Sequence, residues 1–208
     1  MRGSGKLERV DRPLHESTAI LLIDAQTTFV GAMAGASEPL LLRLEALLRF
    51  ATLLELPVIA TLERPVEEKG DLPERLRAVL PAGTQRYEKS AFNCVAEPPI
   101  RSALERLGCR HIAVAGAETD VCVQLSVLGL RSAGYAVSVL WDCLFSSEAA
   151  VAPAWERMGG AGAMPTTLKT FCYELTGVVR DAWPEAWRRR LATQPELFAR
   201  LEELPPRE

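Results

Sequence analysis

The sequence predicts an α/β fold in which β-α-β units surround a parallel sheet. Short apolar runs of strand length alternate along the chain with longer amphipathic stretches of helix length. The 208 residues are 48% hydrophobic and 25% charged, the globular average, and that length is enough for one domain with a buried core. No internal repeat or linker divides the chain.

The first strand is expected at Thr18-Ala-Ile-Leu-Leu-Ile-Asp24, followed by a Gly/Ala-rich loop from Gly31 to Ser37. A leucine-rich helix then covers Pro39 to Leu56, and Pro57 to Leu62 returns as the second strand. Glu63 to Gly83 is charged and marked by Pro and Gly, a loop with one short helix, with its glutamates (Glu63, Glu67, Glu68) solvated. A short strand follows at Gln85 to Lys89. Prolines open a helix at Pro98 and Gly108 closes it. Arg110 to Gly116 reads as a buried strand. Asp120 to Ala133 places Val123, Val127 and Leu130 on one helical face, with Gly134 as its stop. Tyr135 to Leu140 is a strand, Ser147 to Met158 a helix ended by Gly159-Gly160, and Gly162 to Thr166 a last short strand. Helical segments at Thr167 to Leu175 and Pro184 to Leu204 complete the chain, the latter broken at Pro195. The division is an N-terminal extension (1–16), an α/β domain (17–180) and a C-terminal helical segment (181–208).

Composition excludes several classes. The net charge of −3, from 24 basic and 27 acidic residues, opposes binding to a phosphate backbone. No apolar run approaches the roughly 18 residues of a membrane span, and Met1 to Pro13 lacks the apolar stretch of a secretory signal. Two histidines, His15 and His111, are too few for a His-rich metal site. Five widely spaced cysteines without a C-x-x-C pair fit thiols in a reducing cytoplasm. Only four of the basic residues are lysines, Lys6, Lys69, Lys89 and Lys169. Each raises the question of why arginine would not serve.

Ligands of open parallel sheets bind beyond the carboxyl ends of the strands. Three reactive groups are expected there. Cys122 falls in the first turn of a helix, where free N–H groups and the helix dipole favour a thiolate and could hold an oxyanion; it could equally be a small core residue. Asp24 could be a general base or a turn residue. Lys89 could hold a carboxylate ionised and lower a thiol pKa, or be solvated surface. Cys94, Cys109, Cys143 and Cys172 lack such a setting.

With these residues in hand, the chain resembles the isochorismatase-like cysteine hydrolase family over Ser17 to Val179. The motifs are Leu21-Leu-Ile-Asp24-Ala-Gln26-Thr-Thr-Phe29, Lys89-Ser-Ala-Phe92, Gly116-Ala-Glu-Thr119-Asp120-Val-Cys122-Val and Asp142-Cys-Leu-Phe-Ser146-Ser, in the family's order. The resemblance implies a three-layer α/β/α fold with a six-stranded, mostly parallel sheet. It implies an Asp24–Lys89–Cys122 triad, a cis peptide at Ala117–Glu118, and an oxyanion site formed by the Glu118 and Cys122 amides. Thr61-Leu-Glu-Arg-Pro-Val66 lacks the metal-binding histidines of the nicotinamidase branch, so the resemblance is to metal-free members.

The expectation is a cytoplasmic, cofactor-free hydrolase that cleaves a C–N bond of a small amide or carbamoyl compound through a Cys122 thioester. Asp24 is its base and Lys89 its electrostatic support. Gln26, Phe29, Phe92 and Thr119 are the candidate substrate-binding residues, although a phenylalanine is more often core. Nucleic-acid and membrane partners are not expected. A homo-oligomer is, with Trp183, Trp187, Leu191, Leu197 and Leu201 offering apolar surface unless they dock on their own sheet. Two other classes remain open, a redox-reactive thiol sensor and a catalytically silent scaffold.

Overall fold

A computed structural model describes residues 13–194 and Leu197. The strands are β1 (Thr18–Ile23), β2 (Val58–Glu63), β3 (Gln85–Lys89), β4 (His111–Gly116), β5 (Ala136–Leu144) and β6 (Met164–Thr166). They form one sheet in the order β3-β2-β1-β4-β5-β6, and every neighbouring pair is parallel. The order reverses between β1 and β4, which makes their carboxyl ends the switch point where a crevice opens.

Helices cover both faces. Along β1, Ile20 and Leu22 enter one core, while Ala19, Leu21 and Ile23 enter the other. A strand buried on both sides reads as an unbroken apolar run. The first core receives Leu44, Leu47 and Phe50 of α2 (Ser37–Leu54) and Phe171 of α8 (Leu168–Thr176). The second receives Ile100 and Leu104 of α5 (Pro98–Leu107), Val127 and Leu130 of α6 (Gln124–Ser132), and Met158 of α7 (Ala152–Gly160).

Several expectations are corrected. A short helix, α1 (Thr27–Ala32), lies where only loop was expected, and the loop after β2 holds two helices, α3 (Val66–Lys69) and α4 (Glu74–Arg77). β5 extends to Leu144, because beyond a register shift Gly116 pairs with Leu144. α7 starts at Ala152 rather than Ser147, and the residues before it hold side chains near the fourth strand's end.

The C-terminal tryptophans serve the chain's own core. Trp183 is 3% exposed and Leu197 is buried beside it, with Trp187 and Leu191 packed against the same cluster. In α9 (Glu185–Ala192), Arg190 donates to the Leu53 carbonyl at the end of α2. Leu201, the Pro195 break, residues 1–12 and most of the helix beyond Pro195 lie outside the described residues. Among the described residues, no helix is long and apolar enough to cross a membrane.

Candidate active site

Four strands in a row bring one candidate side chain each to the same end of the sheet. Asp24 follows β1 in a left-handed conformation (φ 43°), which a non-glycine residue adopts only where its surroundings hold it. Its amide donates to the Thr61 carbonyl at 3.1 Å, and its Oδ1 accepts from the Thr61 hydroxyl at 2.7 Å. Lys89 ends β3 and is 1% exposed. Its Nζ stands 2.7 Å from Asp24 Oδ2, 3.4 Å from Cys122 Sγ and 3.5 Å from Glu63 Oε2. Cys122 sits in a π-helical turn, Thr119–Val123, between β4 and α6.

The fourth group, Glu63, is where the sequence reading fails. It was placed in a solvated acidic loop, but it is the last residue of β2 and is buried. The Cys122 thiol donates to its Oε2 at 2.9 Å, and Lys69 pairs with its Oε1. The strand-end rule that singled out Asp24 and Lys89 applies equally to β2, and that was the available signal. The same cluster answers the question of the rare lysines, since both Lys69 and Lys89 serve it.

Burial pushes the Asp24 carboxyl above its usual range, against the lowering effect of Lys89 and Thr61. Burial acts the same way on Glu63, but there the Cys122 hydrogen bond and the Lys69 and Lys89 charges prevail and hold it below the ordinary glutamate value. Burial disfavours the Lys89 ammonium, yet Asp24, Cys122 and Glu63 together raise its pKa. The Cys122 thiol is pushed well up, by burial first and then by Asp24, with Glu63 adding to it and Lys89 opposing. The preference for thiolate expected at the helix end is outweighed here by burial and by the two carboxylates. At rest the sulfur keeps its proton, and attack requires a base in contact with it.

Asp24, Glu63 and Cys122 present ligand atoms within 4.8 Å of one another. The Lys89 ammonium already stands among them, so a metal ion would meet an occupied, cationic centre. The donor set therefore does not fit a resident metal. Burial pushes the Cys94 thiol up to about 11, against a hydrogen bond from Ser126 and with smaller, opposed effects of Lys89 and Asp24.

The remaining candidates divide. The Ala117–Glu118 peptide is cis, and the Glu118 carbonyl accepts from the amides of Val121 and Val123. The Glu118 carboxylate accepts from Ser147, and Ser146 donates to Asp120 at 2.6 Å, so the loop after β5 fixes both acidic groups. Gln26 and Thr119, candidate substrate-binding residues, spend their polar groups on bonds within the chain. Gln26 donates to the Glu63 and Gly70 carbonyls and accepts from the Glu63 amide at 2.6 Å. Thr119 donates to the Phe145 carbonyl through both its amide and its hydroxyl. Phe29 is half-buried on the core, with Lys69 Nζ 5.8 Å from its ring centroid. Phe92 is 51% exposed and free to face a ligand. A groove of about 650 Å³ along β5 and β6, lined by Trp141, Trp155, Met158 and Pro165, shares no residue with this cluster.

Comparison with known proteins bears on this arrangement. The family model for the isochorismatase domain matches residues 18–170, the segment that holds all four groups. The chain belongs to the isochorismatase family. It is 28% identical over 207 residues to isochorismatase domain-containing protein 2 of Xenopus laevis, covering 93% of this chain and 98% of that protein. Among solved structures, MAR1 ribonuclease from Caenorhabditis elegans superimposes with a TM-score of 0.82 at 23% identity, covering 94% and 95% of the two chains. YcaC of Escherichia coli, an octameric hydrolase of unknown specificity, gives 0.81 at 24% identity, covering 93% and 92%. YcaC from Pseudomonas aeruginosa, solved with hexane-2,5-diol and covalent acrylamide, gives 0.81 at 23% identity, covering 94% and 97%. These structures share the isochorismatase fold with this chain.

Proposed function

We propose that this isochorismatase-family chain is a metal-free thiol hydrolase that cleaves a C–N bond of a small amide or carbamoyl compound. The observation that carries the reading is a buried thiol in contact with a carboxylate and a lysine at the switch point of a parallel sheet. A carboxylate takes the Cys122 proton, the sulfur adds to the carbonyl carbon, and the oxyanion is held by the Glu118 and Cys122 amides. Collapse expels the amine and leaves a thioester, which water hydrolyses with Asp24 as base. Lys89 keeps Asp24 ionised and offsets the negative charge that develops on sulfur. Phe29 and Phe92 are the apolar walls of the substrate site.

A primary amide is a suitable first probe, since the P. aeruginosa neighbour carries covalent acrylamide. The acidic groups of the turn that carries the thiol, Glu118 and Asp120, would repel a phosphodiester, which favours amide over ribonuclease chemistry despite the C. elegans neighbour. As in the octameric neighbour, the working form is a homo-oligomer, and the site is supplied with substrate in the cytoplasm.

The test is ammonia release across primary amides, ureido acids and carbamoyl compounds, with Cys122→Ala and EDTA as parallel arms. Turnover that resists EDTA and vanishes in the variant is expected. Equal turnover in Cys122→Ala removes the thioester mechanism. Silence across the panel, with sulfenic acid trapped at Cys122 by mass, favours a redox thiol instead.

A further inference from the structure

The contact between Cys122 and Glu63 goes beyond the Asp–Lys–Cys trio. The Cys122 sulfur stands 2.9 Å from Glu63 Oε2 in hydrogen-bonding geometry, while Asp24 is engaged first by other groups, Oδ1 by the Thr61 hydroxyl and Oδ2 in an ion pair with Lys89 at 2.7 Å, and feels Cys122 as a smaller influence. Glu63, like Asp24, is fixed at its backbone. Its amide and carbonyl are both bonded to the Gln26 side chain, and Lys69 anchors its other oxygen.

We propose that Glu63 is a second catalytic carboxylate, which receives the Cys122 proton during attack, leaving Asp24 to serve the water step. This rests on the thiol-hydrolase reading and divides its acid–base work. In the first half, the S–H bond breaks and its proton moves to Glu63 Oε2. The sulfur electron pair forms the S–C bond while the carbonyl π pair moves to oxygen. As the oxyanion collapses, the C–N bond breaks, and Glu63 returns the proton to the departing nitrogen. In the second half, water forms a bond to the thioester carbon and gives a proton to Asp24. The C–S bond then breaks, and that proton passes to sulfur, restoring the resting thiol. Neither half needs an external oxidant or reductant.

The charged and titratable groups facing Glu63 are Cys122 from the turn after β4, Lys69 from α3, Lys89 from β3 and, across the ammonium, Asp24 from β1. With the proton shared inside this set, the thiolate form arises without loss of a proton to solvent. Its population is then independent of pH wherever Glu63 is otherwise ionised. Without Glu63 the thiol must ionise to solvent, and its reactivity rises about tenfold per pH unit below its pKa.

The experiment is the rate of Cys122 alkylation by iodoacetamide between pH 5 and 10 (about two units below neutrality to about three above, spanning carboxylate and thiol titration), followed by mass at Cys122 in the full chain. A plateau through neutral pH is expected in the wild type and in Asp24→Asn. Glu63→Gln should replace it with a continuous rise. Lys69→Met removes the cation that holds Glu63 acidic, so the acid limb of the plateau should move to higher pH. Should Glu63→Gln fail to fold, the Lys69→Met shift still decides the matter. A plateau that survives Glu63→Gln, one lost in Asp24→Asn, an unmoved limb in Lys69→Met, or no Cys122 alkylation in the wild type at any pH would each overturn the proposal. Because alkylation requires no turnover, a silent amide panel would defeat the hydrolase reading while leaving this result separate.

Discussion

A Cβ atom placed on Gly116 would lie 1.9 Å from the carbonyl oxygen of Ile23. The two residues face each other across the β1–β4 ladder, and the same carbonyl accepts from the Ala117 amide at 2.7 Å. Gly116 also has φ 114°, outside the range side chains tolerate well. This close approach brings the strand end before Asp24 against the turn that carries Cys122. Gly116→Ala should cost about 3 kcal/mol of stability by overpacking alone, and abolish turnover by separating the two strand ends. Urea denaturation checks the first part; a change under about 0.5 kcal/mol, as for an ordinary surface site, would contradict it.

Glu63 also predicts a pH dependence of stability. Its carboxyl is held below the ordinary glutamate value in the folded chain, so it contributes stability that is fully present above that value. The contribution is lost as pH falls through the lowered pKa. The stability difference between wild type and Glu63→Gln should therefore shrink on acidification. Asp24, raised by burial, has the opposite sign, but it is common to both proteins and cancels to first order. Guanidinium melts across the acid range are the measurement, and a difference that widens toward low pH would refute the assignment.

Gln26 separates positioning from substrate binding. Its amide joins the end of β2 to the Gly70 loop through three hydrogen bonds. Gln26→Ala leaves buried backbone groups without partners, at a cost of about 1–3 kcal/mol. The expected result is a fall in kcat, because Glu63 loosens, while KM stays near its wild-type value. A rise in KM at constant kcat would return Gln26 to the substrate.

The C-terminal segment gives a fourth test. Trp183 is buried in the same core as α2, with its ring 6.0 Å from Trp187 in an edge-on arrangement and its Nε1 bonded to the Val178 carbonyl. Trp183→Ala should destabilise the monomer fold by about 3–5 kcal/mol. The association state, measured by light scattering, should change only as the fold is lost. A dissociated but equally stable protein would mean that these side chains serve an interface instead.

Much of this architecture is legible in the sequence because strands buried on both faces announce themselves as apolar runs. β3 and α5 fall where Lys89 and Gly108 end them. Glu63 was missed by a single residue of boundary. Ending β2 at Leu62 pushed the glutamate into a charge run with Glu67 and Glu68, where solvation is the normal fate. α1 was missed because Thr27 and Thr28 are poor helix formers and only Val30 of its residues is fully buried, so tertiary packing rather than propensity holds it. The early start given to α7 has the same origin. Ser146 and Ser147 look like helix-capping residues, yet they bond Asp120 and Glu118 instead.

The sheet order also governs how this site can change over time. Lys89, Glu63, Asp24 and Cys122 arise from four adjacent strands, though in the chain they are separated by long crossovers. Beyond the Thr119–Val123 turn that carries Cys122, those crossovers can gain or lose residues without displacing any of the four. A slip of one residue in a strand is different, since it moves that strand's terminal group by about 3.3 Å and turns it to the opposite face. Insertions should therefore be tolerated in the helices and loops that join the strands, and excluded from the strands themselves and from the turn between Gly116 and Cys122. The ladder that pairs Glu63 with Lys89 and Ile23 with Gly116 is the ruler that keeps the chemistry in place.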